Sequence, residues 1–88
     1  MMINIKDLKK KIIYRSNYRG TKEMDKLLGS FVKKHINTLK DEELQNLCNL
    51  LDYDDDNLYK FNQGLVVTNK IKSNKVTELF RNYEYVSQ

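Results

Sequence analysis

The sequence predicts an all-α single domain of five helices, and three observations carry that prediction. Apolar residues return every three or four positions in each long segment, and no segment alternates apolar and polar as a half-buried strand would. Capping and stop residues stand at the ends of these runs, separated by short loops. At 88 residues, with 40% hydrophobic and 32% charged side chains, residues 1–88 fit one domain with a thin core, and nothing resembles a linker, a repeat or low complexity.

The first run is Ile5, Leu8, Ile12 and the neighbouring Ile13, with Asn4 as its cap and a stop at Tyr18-Arg19-Gly20, where Gly20 is suited to the left-handed conformation that closes a helix. The second begins at Thr21. Glu23 in its first turn faces the positive end of the helix dipole, and Met24, Leu27, Leu28, Phe31, Val32 and Ile36 form the strongest stripe in the chain. Asp41, Glu42 and Glu43 open the third in the same electrostatic manner, with Leu44, Leu47, Cys48 and Leu51 as its buried face. Asp55 caps a short fourth helix carrying Leu58, Tyr59 and Phe61 and stopping at Gly64. Residues 65–69 are left unassigned. The fifth helix begins near Ser73 or Asn74 and turns Val76, Leu79, Phe80 and Tyr83 to the core.

Composition narrows the function classes. A chain this short buries only about 60–65% of its unfolded surface, enough for a core but not for a deep pocket as well. No apolar run approaches the ~20 residues that cross a bilayer. The lone Cys48 has no partner for an internal disulfide, which suits a reducing compartment, and a bacterial cytoplasm is expected. The basic start, Met1 to Ser16, has lysines where a mitochondrial presequence is rich in arginine and serine, so it reads as a mature first helix. Charge is uneven: residues 1–40 hold eleven Lys and Arg against three acids, and residues 41–63 hold seven acids against Lys60. Such a field steers partners rather than setting a fold.

The search for reactive groups returns little. His35 is the single histidine, and its neighbours at helical spacing, Phe31, Val32 and Leu39, offer neither a partnered base nor further metal ligands. Cys48 lies on the proposed core face and reads as a buried, inert thiol. Asp52, Asp54 and Asp56 match the first ligand positions of a calcium loop, but the twelfth position is Gln63, which cannot supply the bidentate carboxylate. A helix-capping acidic turn explains the same residues. Gly20, Gly29 and Gly64 are too scattered for a phosphate loop. A sequence pI near 9.2 raises the alternative of a small basic helical nucleic-acid-binding protein. Against it, Lys9, Lys10, Lys11, Lys33 and Lys34 fit ordinary solvent-facing helix positions, and neither a helix-turn-helix spacing nor an aromatic platform accompanies them. No catalytic residue is expected.

One corner is more than scaffold. Tyr14, Arg15, Tyr18, Arg19, Gly20 and Glu23 gather between the first two helices. A helix stop followed by a first-turn glutamate accounts for Gly20 and Glu23 but not for two tyrosines and two arginines beside them. Tyrosine and arginine are favoured at interface centres, and glycine lets a partner's backbone approach.

At this corner the chain resembles the small succinate dehydrogenase assembly factors. Tyr14-Arg15-Ser16, then Arg19-Gly20-Thr21-Lys22-Glu23, Asp25 and Leu27-Leu28-Gly29-x-Phe31 carry the likeness, whose signature is Arg-Gly-x-x-Glu. It continues through Leu50-Leu51, the acidic turn and Leu58-Tyr59, over roughly residues 8–63. Asp56, Asn57 and Phe61 stand where that family often has proline, aspartate and tryptophan, and Lys40 replaces the usual cap before the third helix.

The resemblance implies a five-helix protein that binds the flavoprotein subunit of succinate dehydrogenase, with that of fumarate reductase as a further candidate client. It promotes covalent attachment of FAD to a histidine of that subunit. Such a factor is no enzyme: it holds its client in a competent arrangement and binds no flavin tightly, FAD being the client's cofactor. By motif, Arg19, Gly20 and Glu23 would lie in the contact, with Tyr14 and Arg15 as adjacent candidates. A monomer with no metal, no nucleic-acid partner and no membrane insertion is the accompanying expectation.

Overall fold

The computed structural model describes residues 4–67 and 70–85. Its helices are α1 (Ile5–Asn17), α2 (Lys22–His35), α3 (Asp41–Leu50), α4 (Asp55–Asn62) and α5 (Lys75–Arg81), with no strand among the described residues. The fold is all-α, and among the described residues no helix is long and apolar enough to cross a membrane. α1 packs on α2 and α3, while α5 packs on α3 and α4. The radius of gyration, 12.4 Å, matches the ~12 Å of a compact domain of this length.

Local chemistry sets most of the helix ends. The side chains of Asn4, Thr21 and Asn74 accept from the backbone N–H three residues on, so each satisfies one of the donors a first turn leaves open. Lys40 cannot cap in this way because an ammonium accepts nothing. Instead the Glu43 carboxylate accepts the Lys40 N–H at 2.8 Å and pairs with Lys75 at 3.0 Å, tying the start of α3 to the start of α5. α4 ends in a Schellman motif: Gly64 has φ +74°, the Leu65 N–H reaches the Lys60 carbonyl at 2.8 Å, and the Gly64 N–H reaches that of Phe61 at 3.2 Å.

Three expectations change. The N-cap of α4 is Asp54, and Asp55 is the first helical residue, because Arg19 occupies the Asp55 carboxylate. Ile13 is 44% exposed: the buried line of α1 is Leu8, Ile12 and Ser16, four residues apart, and Ile13 lies a hundred degrees round the helix from Ile12. α1 stops at Asn17, three residues before Gly20, where both Ser16 Oγ and Asn17 Nδ2 donate to the Ile13 carbonyl at 2.9 Å. The core is otherwise as read, with Leu28, Phe31, Leu47, Leu58, Val76 and Phe80 wholly buried, and Leu50 and Ile71 added to it. Cys48 is buried and His35 half-buried against the Phe31 ring. Of the unassigned stretch, residues 65–67 have no regular structure, and 68–69 lie outside the described residues.

Candidate functional site at the corner between α1 and α2

The problem solved at this corner is the end of α3. A helix leaves its last four carbonyls without intrahelical partners and carries partial negative charge there. α3 has no basic residue in its last turn, and its C-cap is Leu51 rather than a glycine. The cations come from the last turn of α1, which carries Arg15, and from the turn that follows it, which carries Arg19, and both side chains reach the same carbonyl. Arg15 Nη2 donates to the Leu51 carbonyl at 3.1 Å and to Asp52 Oδ1 at 2.6 Å. Arg19 Nη1 donates to the same Leu51 carbonyl at 2.7 Å, Nη2 to the Tyr53 carbonyl at 2.6 Å, and Nε to Asp55 Oδ1 at 2.8 Å. The Arg19 side chain is 11% exposed, and that of Arg15 27%. The hydrogen bond to Asp52, and the charge of that carboxylate, hold the Arg15 proton more tightly than usual, with partial burial working the other way.

The acidic turn is thereby accounted for. Asp52 pairs with Arg15, Asp55 with Arg19 and Asp56 with Lys60, while Asp54 Oδ1 accepts from Asn57 Nδ2. These carboxylates serve as ion-pair and side-chain hydrogen-bond partners inside the chain. Among the described residues no cluster of His, Cys, Asp or Glu is disposed to hold a metal.

What the corner shows to solvent is a different set. The Arg19 N–H is held by Asp25 Oδ1, which fixes the turn into α2. Gly20 is exposed with φ +123°, a conformation other residues rarely adopt. A Cβ there would meet only Asp55 Oδ2, at 3.8 Å, so the backbone and not the space within this chain demands glycine. Glu23 is exposed in the first turn of α2, and its carboxylate makes no ion pair or hydrogen bond among the described residues. Tyr14 and Tyr18 are 66% and 70% exposed, their rings 4.7 Å apart on the outer face of α1. Tyr14, Gly20 and Glu23 thus stand open, and the guanidinium groups of Arg15 and Arg19 turn inward to lock the platform beneath them.

The family described as "Flavinator of succinate dehydrogenase" matches residues 10–84. The chain belongs to this family. It is 41% identical over 51 residues to the mitochondrial succinate dehydrogenase assembly factor 2 of Meyerozyma guilliermondii, covering 58% of this chain and 38% of that protein. It is 36% identical over 55 residues to the FAD assembly factor SdhE of Acetobacter pasteurianus, covering 62% of this chain and 50% of that one. With the FAD assembly factor SdhE of Wigglesworthia glossinidia brevipalpis it shares 32% identity over 72 residues and 82% of each chain. The chain spans half or less of the length of the first two relatives. No solved structure matches it.

The sequence names the residues that meet at this corner but not what the arginines do there. The carbonyls of Leu51 and Tyr53 leave no mark in a sequence. The available signal was a third helix that ends without a cation of its own, with two arginines at and just beyond the end of the first.

Proposed function

We propose that this chain is a flavinylation assembly factor that docks on the flavoprotein subunit of succinate dehydrogenase and promotes covalent attachment of FAD to it. It acts as a non-enzymatic positioning chaperone. The observation that carries the reading is the pairing of an unpartnered carboxylate, Glu23, with an exposed, conformationally fixed Gly20 on a platform that Arg15 and Arg19 hold rigid. Such a surface binds without first being ordered, and a docked subunit held in one arrangement keeps its own histidine and flavin aligned, which is where positioning lowers a barrier.

Tyr14, Gly20 and Glu23 make the contact in this reading; Arg15 and Arg19 belong to the site by holding it. The flavin stays on the client. The corner offers a dinucleotide no glycine-rich phosphate cradle, and Glu23 would repel the pyrophosphate. The factor works as a monomer in a bacterial cytoplasm, and the flavoprotein of fumarate reductase is a second client of the same chemistry.

The test is flavin fluorescence of the denatured flavoprotein subunit in cells carrying Glu23→Ala or Gly20→Ala, beside co-purification of that subunit at low and high salt. The expected result is lost fluorescence and lost co-purification with a folded factor, and wild-type co-purification that survives salt. Undiminished fluorescence with both substitutions combined would overturn the assignment.

A further inference from the structure

A trough of about 770 Å³ opens beside the corner, with Glu23 and Lys26 of α2 on one side, Tyr59 of α4 below, and Arg81, Glu84 and Tyr85 on the other side. Its volume lies in the ~300–1,000 Å³ range of ligand-sized clefts. The far wall comes from the end of the chain, on which the resemblance to known assembly factors places no motif. That wall is built firmly. Asn62 Nδ2 donates to the carbonyls of both Phe80 and Tyr83 at 2.8 Å, beside the turn bond from the Tyr83 N–H to the Phe80 carbonyl at 3.1 Å. The Tyr83 hydroxyl bonds Ser30 Oγ at 2.7 Å, its ring packs on Phe31, and Lys34 Nζ lies 5.7 Å above it.

Two acids and two bases line this one concavity, yet none of Glu23, Glu84, Lys26 and Arg81 pairs with another described residue. Tyr59 and Tyr85, 49% and 38% exposed, add aromatic surface between them. Balanced, unpaired charge argues against a phosphate-rich occupant, which two carboxylates would repel, and against an anionic membrane surface for the same reason. A polypeptide segment with both signs of charge and one large apolar side chain satisfies the lining. Glu23 is common to the trough and to the corner, so the two surfaces are continuous.

We infer that the trough receives an extended, mixed-charge segment of the flavoprotein client, and that the Arg81–Tyr85 wall is therefore part of the docking surface. This rests on the docking function proposed above. It assigns Tyr59 and Tyr85 as anchors and Asn62 and Tyr83 as the residues that hold the wall in place.

The test places the photo-cross-linking residue benzoylphenylalanine at Tyr59, Tyr85, the exposed corner residue Tyr14 and, as a control on the α3–α5 face, Glu42, in the full-length factor mixed with the flavoprotein subunit. Positions 59 and 85 are expected to cross-link to one contiguous client peptide and position 42 to none. Tyr59→Ala and Tyr85→Ala are each expected to weaken client binding about tenfold with the helical circular dichroism signal unchanged. Cross-linking at position 14 without 59 and 85 would overturn the trough and leave the corner standing. Failure at all of 14, 59 and 85 would overturn both.

Discussion

Replacing Arg19 with alanine removes an ion pair and two charge-assisted hydrogen bonds that bridge 32–36 residues of sequence. Each bond to a charged group contributes roughly 1.5–3 kcal/mol net, and breaking a buried pair costs roughly 3–5 kcal/mol. Two features lower the sum. The Leu51 carbonyl keeps Arg15 at 3.1 Å, and Asp55, whose side chain is 27% exposed, regains water when its partner goes. The net expectation is a loss of about 2–3 kcal/mol, which for a domain of this size lowers the melting temperature by roughly 10–20 °C. Arg19→Lys should recover about half, since one ammonium can meet Asp55 or a carbonyl but cannot fork across all three acceptors. Thermal unfolding followed at 222 nm measures both, and Asp55→Asn closes a double-mutant cycle whose coupling should exceed about 0.5 kcal/mol. A melting temperature for Arg19→Ala within about 3 °C of the wild type would refute the bracket and return Arg19 to the solvent-facing contact set.

Gly20→Ala should cost about 1 kcal/mol through its positive φ, with Glu23→Ala nearer a few tenths, so Glu23→Ala is the cleaner probe of docking by co-purification. Gly29→Ala brings a Cβ to 2.5 Å from Asn17 Oδ1 and should displace Asn17 from the end of α1. Better helix propensity offsets this, so urea unfolding should show a net change under about 1 kcal/mol, while Gly29→Leu should be far worse. His35 has its pKa lowered by burial and by the charge of Lys34, so the folded state prefers the neutral ring. Its contribution is intact above the unfolded value near 6.5 and is lost as pH falls through the folded pKa; the wild type should lose melting temperature from pH 7.5 to 5.5 more steeply than His35→Gln. Equilibrium dialysis of the purified chain with FAD should show no binding at micromolar flavin, since micromolar affinity corresponds to about 8 kcal/mol of specific contact.

What could be read from the sequence follows from how far each interaction reaches. Asn4, Thr21 and Asn74 were legible because a cap bonds three residues away, and the Met24-to-Ile36 stripe because burial repeats with the helix. Ile13 misled because a run of two isoleucines does not say which one the neighbouring helix covers. Asp55 read as a cap because any acid before an apolar turn does; only the fold brings Arg19 to it. At the site, the exposure of Tyr14, Gly20 and Glu23 accords with a surface motif, while the inward turn of Arg15 and Arg19 depends on where α3 ends, more than thirty residues on. The wall at Arg81–Tyr85 depends on Asn62 and Ser30, partners that carry no periodic signal.

The shared carbonyl of Leu51 also bears on inheritance and screening. Because both arginines converge on it, damage to the backbone between Leu51 and Asp55 loosens the corner from below. Under the proposed role, a selection for cells that fail to flavinylate the flavoprotein subunit should therefore return two classes of allele. One class alters Gly20 or Glu23 and leaves a normally abundant factor. The other alters the acidic turn, touches no partner, and lowers the amount of factor in the cell, because a few kcal/mol is a large share of what keeps a small domain folded. Factor abundance on an immunoblot would sort the alleles without a structure of the complex, and a second-site change that tightens α3 should rescue the turn class alone.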